Sequence, residues 1–122
     1  MKLSLGIDFG TSGARSAVID NDRNICWLNN QPFVASAQPL DQIWAQTLWQ
    51  LLDRIPPEIK KNISRIAIDG TSSTVLICDG GGQVLGAPLL YNDDRGKIGL
   101  EQVRSIAPAG HAVISATSSF TK

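Results

Sequence analysis

The stretch that most constrains the fold is Leu5-Gly-Ile-Asp-Phe-Gly-Thr-Ser-Gly-Ala-Arg-Ser-Ala-Val-Ile-Asp20. Leu3, Leu5 and Ile7 alternate with smaller residues, which is the period of a half-buried strand. Asp8 falls where that strand should end. Gly10-Thr-Ser-Gly13 then offers two glycines free to take positive φ, with hydroxyls between them. The apolar run Ala17-Val-Ile19 returns as a second strand. A turn of this kind can aim several backbone N–H groups at one point and so bind an anion. Thr11 and Ser12 add side-chain donors, and Arg15 adds a positive charge. Asp8 suits a hydrated magnesium ion, which takes a carboxylate and waters in preference to an all-protein cage. Together they fit a metal-bound polyphosphate. The same residues also fit a plain hairpin in which Asp and Gly only shape the turn. The glycine spacing is neither that of a Walker loop nor that of a dinucleotide fingerprint.

With 122 residues there is room for one ordinary domain. Hydrophobic residues make up 43% and charged residues 18%, a globular composition. Eleven basic residues balance eleven acidic ones, so nothing favours nucleic acid or an anionic membrane as partner. No apolar run approaches the roughly 18 residues of a membrane span, and the first residues lack a signal peptide's apolar core. Cys26 and Cys78 lie in apolar segments without metal-ligand spacing, and are read as buried, reduced thiols. These features lead to the expectation of a cytoplasmic protein.

Along the chain, strands are expected at about 2–8, 14–20 and 25–28, forming an antiparallel meander. Residues 29–38 read as a connection crossing the sheet. Leu40, Ile43, Trp44, Thr47, Leu48, Leu51, Leu52 and Ile55 then recur at helical spacing, and Pro56-Pro57 ends the helix. Trp44 lies on the apolar stripe and is assigned to packing; Trp49 lies off it and carries no assignment. Arg65–Asp69 reads as a strand parallel to the first, because a helical crossover precedes it. Further strands are expected at 74–78, 83–85 and 87–91, and a helix at about 97–107. The chain partly repeats itself. Gly6-Ile-Asp-Phe-Gly-Thr-Ser matches Ala67-Ile-Asp-Gly-Thr-Ser with one residue missing, and Val18-Ile-Asp-Asn-Asp matches Ile77-Cys-Asp-Gly-Gly. A structural repeat would set Asp69 beside Asp8 on neighbouring strands; otherwise two hairpins share the same turn chemistry. The single histidine, His111, follows a glycine in a loop-like stretch and is given no catalytic role.

Tyr91-Asn-Asp-Asp-Arg95 is the second polar constellation. Asp can accept from the hydroxyls of a polyol and Arg can donate to them; a solvated turn with a local ion pair is the plainer alternative. The string from Gly6 to Arg15, followed by Ala17–Ile19, resembles the first phosphate loop of the actin-like ATPase superfamily. Its nearest likeness is to the sugar kinases of the FGGY family. Those kinases carry Trp-Asn-Asp-x-Arg or a near variant at this distance into the chain, and here the pattern is kept at Asn92, Asp93 and Arg95 with Tyr91 as the aromatic. The resemblance runs from residue 2 to the end, where Ala116–Lys122 is similar to the segment that begins another helix near the sugar.

The resemblance implies an α/β, ribonuclease H-like fold: a mixed sheet opening with an antiparallel three-strand meander, and helices packed on it. It implies that residues 1–122 are an incomplete N-terminal domain, and that a C-terminal nucleotide-binding domain lies elsewhere in the parent protein. It implies ATP-dependent phosphorylation of a small sugar, a ketopentose such as D-ribulose or D-xylulose, with magnesium. In these terms Asp8 serves the metal; Gly10, Thr11 and Ser12 cradle the β- and γ-phosphates; and Arg15 steadies the transferred group. Asp93 and Arg95 hold sugar hydroxyls, with Thr71 and Ser72 adding to that pocket. The family's catalytic base falls beyond residue 122, so no catalytic residue is assigned here and the chain alone is expected to be inactive. Where xylulose kinases place a Gly-Gln-Met-His-Gly-like loop, this chain has Asp69-Gly-Thr-Ser-Ser73, which is more similar to ribulose-type kinases of photosynthetic organisms. A non-catalytic sugar- or phosphate-binding module and another actin-like ATPase are the alternatives. The second of these has no use for Asn92–Arg95.

Overall fold

A computed structural model describes residues 1–122. The chain divides into two compact units, Met1–Gly70 and Thr71–Lys122.

In the first unit β1 (Leu3–Phe9), β2 (Gly13–Ile19) and β3 (Ile25–Pro32) form the expected antiparallel meander. Helices α1 (Leu40–Asp53) and α2 (Pro57–Lys60) lead to β4 (Ile63–Gly70), which pairs with β1 in parallel. The sheet order is β3-β2-β1-β4. Alternation decides the inner face: Leu3, Leu5 and Ile7 of β1 and Ala14 and Val18 of β2 are buried, and Leu51 and Ile55 close over them. Removing each large aliphatic side chain among these from water contributes about 1.5–3 kcal/mol. Trp27, Phe33, Leu48 and Leu52 pack around this core. Trp44, expected in the packing, is half-buried, and Trp49 is exposed.

The Leu40–Ile55 stripe forms α1 as expected. Pro39 stands at its N-cap and Asp41 in its first turn, where a carboxylate complements the helix dipole. Pro56-Pro57 ends it, and Pro57 also starts α2 as its first helical residue, a position where the missing N–H costs nothing.

β3 runs four residues further than the sequence indicated, through Asn29-Asn-Gln-Pro32, which had read as a crossover. Its inward positions there, Asn29 and Gln31, are polar, so hydropathic alternation disappears although the backbone stays paired with β2. Pro32 is tolerated because it ends an edge strand.

The repeat of Gly6-Ile-Asp in Ala67-Ile-Asp is structural: Gly6 pairs with Ala67, Ile7 with Ile68, and Asp8 with Asp69. The second repeat is a shared turn. Asp20 Oδ1 accepts from the amides of Asp22 and Asn24, as Asp79 Oδ1 does from Gly81 and Gln83. The fourth residue of each turn takes a positive φ, 68° at Arg23 and 83° at Gly82.

The second unit departs further from expectation. The strands expected at 74–78, 83–85 and 87–91 reduce to isolated bridges, Val75 with Leu89 and Cys78 with Val84. Gly80–Gly82, Gly86 and Pro88 interrupt the runs, so few consecutive residues find ladder partners. Both cysteines are free, but Cys78 is exposed and Cys26 half-buried, not buried as expected. The helix expected at 97–107 is a 3₁₀ turn, Arg95–Gly99, followed by α3 (Leu100–Ile106). Ile98, on the 3₁₀ turn, is 95% exposed and Ile106, the last residue of α3, 85%, while Val103 is buried.

Candidate functional site

β1 and β2 carry the first group of candidate residues. Antiparallel pairing sets Asp8 opposite Arg15, on the face away from the core. Arg15 donates through its guanidinium to Asp8 Oδ2 at 2.7 Å. Both side chains remain substantially exposed, at 71% for Arg15 and 46% for Asp8. On the same rung Asn30 pairs with Arg15 and Asp69 with Asp8. Side chains at paired positions share a face, so the order across the open face is Asn30, Arg15, Asp8, Asp69. The neighbouring rung holds Leu28, Ala17, Gly6 and Ala67. Its small residues leave the carboxylates and guanidinium uncovered.

The turn between β1 and β2 closes with the Gly10 amide donating to the Gly13 carbonyl at 2.9 Å. The Phe33 amide donates to the Ser12 carbonyl at 3.0 Å and fixes the loop against the chain leaving β3. The amides and hydroxyls of Thr11 and Ser12 donate to nothing within the chain and stand exposed. A groove of about 350 Å³ runs past Gly10–Gly13, Arg15 and Asn30. The glycines serve a different purpose from the one their type suggests, because neither has a positive φ. Gly13 is needed for close approach: a Cβ there would lie 2.6 Å from the Gln31 carbonyl oxygen and 2.8 Å from Pro32 Cα. The donor surface is therefore two free amides and two hydroxyls on a tight turn, without the alternating backbone hand of an anion nest.

The second group lies in the second unit. Asp93 and Arg95 hold one another. Arg95 donates from Nε to both carboxylate oxygens, at 3.0 and 2.9 Å, and from its terminal nitrogen to Oδ2 at 2.6 Å; its amide reaches Oδ1 at 3.0 Å. These bonds bring the Asp93 carboxyl down to about 2, the side-chain bonds from Arg95 counting most. Arg95 is correspondingly raised. Asp94 pairs with Lys97, which lowers its pKa as well. The Asp93 side chain is 18% exposed and that of Arg95 67%, along a cavity of about 450 Å³ that Asn92 and Leu90 also line. Thr71 is half-buried and Ser72 exposed, in a turn closed by the Thr74 amide on the Thr71 carbonyl. His111 accepts the Val113 amide on Nδ1, a local loop contact.

The structure thus brings Asp8, Gly10, Thr11, Ser12 and Arg15 to one end of the β1–β2 hairpin, and Asp93 and Arg95 into one turn. Two neighbours received no role from the sequence. Asn30 lies in the polar run Asn29-Asn-Gln31, which carries no hydropathic alternation to mark it as strand. Asp69 was placed beside Asp8 by the repeat but given no chemistry.

No protein-family model matches the chain. Solved structures do. A xyloylose kinase from Brucella ovis matches with a TM-score of 0.76 at 20% identity, over 95% of this chain and 27% of its own. The xylulose kinase from Bifidobacterium adolescentis matches at 0.67 and 16%, over 98% of this chain and 28% of its own. Plasmodium falciparum glycerol kinase with ADP matches at 0.61 and 19%, over 88% and 24%. The chain spans about a quarter of the length of these kinases. Its mixed sheet with flanking helices has the fold of the FGGY carbohydrate kinases, the actin-like ATPase architecture.

Proposed function

We propose that the protein carrying this chain transfers a phosphoryl group from ATP to a hydroxyl of a small sugar, a ketopentose such as D-ribulose or D-xylulose. The observation that carries the reading is the β1–β2 hairpin. It sets two unused amides and two hydroxyls beside an exposed Asp8–Arg15 pair. A polyphosphate on that turn meets donors from Gly10, Thr11 and Ser12. Arg15, already at the rim, turns from the Asp8 carboxylate to the phosphoryl oxygens, where charge builds in the transition state. One of the similar structures, the glycerol kinase, holds ADP.

Asp8 is the residue that would hold magnesium, with Asp69 about one strand spacing (~4.8 Å) away. The chain has no cluster of three or more metal-ligating side chains. One or two carboxylates completed by water is the donor set magnesium ordinarily takes, so these residues fit the ion. When bound, the ion neutralises charge on the β- and γ-phosphates.

Asp93 and Arg95 bind sugar hydroxyls, as acceptor and donor, with Thr71 and Ser72 adding to the pocket. Asp93, at about 2, is too weak a base to take the hydroxyl proton near neutrality. In this reading that proton goes to a residue outside residues 1–122. Residues 1–122 then form part of an N-terminal domain, with the adenosine site in a further domain, and do not turn over alone.

The test is ADP formation by the full-length protein with magnesium-ATP and D-ribulose, D-xylulose or glycerol. Ketopentose-dependent ADP release is expected. Asp8→Asn should lower kcat by about 10²–10³-fold, and Asp93→Ala should raise the sugar KM while the nucleotide KM stays near wild type. ATP hydrolysis indifferent to sugar would identify another actin-like ATPase. Sugar binding without any ADP would identify a non-catalytic module.

A further inference from the structure

We propose that Lys122 is a positioning residue for the sugar pocket of the second unit: its ammonium ties the Thr71–Ser73 turn to the segment leading into Asn92–Arg95 and so fixes the spacing at which both meet a polyol. The inference rests on the sugar-kinase reading above.

Lys122 Nζ donates to the carbonyl of Ser73 and to that of Leu90, each at 2.7 Å, across 49 and 32 residues of sequence. Both acceptors are special. Ser73 has a φ of 62°, in the left-handed region that residues bearing a Cβ avoid, so its carbonyl direction needs an external hold. The Leu90 carbonyl also accepts the Asp93 amide at 2.9 Å, which closes the turn presenting the Asp93 carboxylate. One ammonium therefore grips the turn beside Ser72 and the carbonyl on which the Asp93 turn hangs. Hydrogen bonds from a charged donor are about twice as strong as neutral ones.

The lysine is itself anchored. Thr121 is buried, and its hydroxyl donates to the carbonyls of Ser115 at 2.7 Å and Ser118 at 2.9 Å. The backbone of Thr121 lies on two glycines of the turn that follows Asp94. A Cβ at Gly96 would come within 2.5 Å of Thr121 Oγ1, and one at Gly99 within 2.8 Å of the Thr121 carbonyl oxygen. Residues 96 and 99 thus form a bare seat for Thr121, from which Lys122 reaches the two carbonyls. The second unit has few buried apolar side chains to do the same work; Val103 is its one buried hydrophobic residue.

The experiment uses the full-length protein with Lys122→Met and Lys122→Arg, measuring KM and kcat for D-ribulose and D-xylulose and KM for ATP. Lys122→Met keeps the aliphatic stem and removes both bonds. Its sugar KM should rise about tenfold, with the ATP KM within about twofold of wild type, because the phosphate loop is not part of the tie. Lys122→Arg, which retains charge and donors in a different shape, should recover most of that loss. Wild-type sugar KM in a folded Lys122→Met protein would overturn the proposal. So would a rise in sugar and ATP KM by the same factor, the mark of general loosening. If Lys122→Met does not fold, Lys122→Gln, shorter and uncharged, decides: a sugar KM raised severalfold with unchanged ATP KM supports it, and wild-type values for both overturn it. A wild-type protein that phosphorylates neither sugar overturns the sugar-kinase reading and this inference together, whereas normal Lys122 variants of an active enzyme overturn only this inference.

Discussion

Asp93 receives four hydrogen-bond contacts from one neighbour, Arg95, and this determines how it titrates. Its carboxyl stands at about 2, below the ordinary 3.8, so the folded state holds the charged form more tightly than the unfolded chain does. The resulting stability is fully present above about pH 4 and is lost as pH falls from there to about 2. Urea denaturation of wild type and Asp93→Asn between pH 2 and 6 should give a constant stability difference at the upper end. The difference should shrink below about pH 4, and one that stays level through that range would mean Arg95 does not hold the carboxylate in solution. The Asn92-Asp-Asp-Arg95 pattern made this turn visible in the sequence. That Arg95 closes on Asp93 was not visible, because residue types two apart do not reveal a rotamer. The Asp-x-x-x-x turns at Asp20 and Asp79 show the converse. Their repeat was plain in sequence, and the shared hydrogen bonds to Oδ1 give it a physical cause.

Among elements, the β1–β2–β3 meander depends on one close approach. Gly13 faces Pro32 in register, and a Cβ at residue 13 would sit 2.6 Å from a backbone oxygen that cannot rotate away. Gly13→Ala should therefore part β2 from β3 at their paired ends and destabilise the fold by about 1–3 kcal/mol, seen as a lowered urea midpoint. Gly10→Ala offers the comparison. Its Cβ would stand 3.4 Å from the Gly13 carbonyl oxygen, and it should cost less. An equal loss from both would show that conformational freedom, not space, makes Gly13 necessary. Residue type alone points both glycines to positive φ, the commonest reason for glycine in a turn; contact with β3 depends on a strand whose polar last half carries no strand signal in the sequence. α1 was legible because Leu40, Ile43, Trp44, Leu48, Leu51 and Leu52 share one helical stripe. The bridges at 75–89 were over-read as strands because β-branched residues signal extended backbone without saying whether a partner lies alongside.

At the scale of the whole molecule, β4 is the element whose surroundings least match its sequence. Ile66 and Ile68 pair with Leu5 and Ile7, so they lie on the face that carries the core, yet they are 60% and 61% exposed while their partners are buried. The reason is lateral. α1 packs over β2 and β3, and β4 is the outermost strand on the other side of β1. Its eight residues carry an unpaired backbone edge beside exposed isoleucines, and a strand of that kind pairs readily with another chain. The 122-residue chain by itself should accordingly self-associate as its concentration rises. Ile66→Thr with Ile68→Thr keeps β-branching, and thus strand preference, while removing the apolar surface. Sedimentation velocity across a hundredfold concentration range should show a rising weight-average coefficient for wild type and a level one for the double variant. A wild-type chain that stays monomeric throughout would mean the isoleucine face is covered in solution. No pattern in Arg65-Ile-Ala-Ile-Asp69 could have indicated this, since alternation names the two faces of a strand but not what lies beyond its edge.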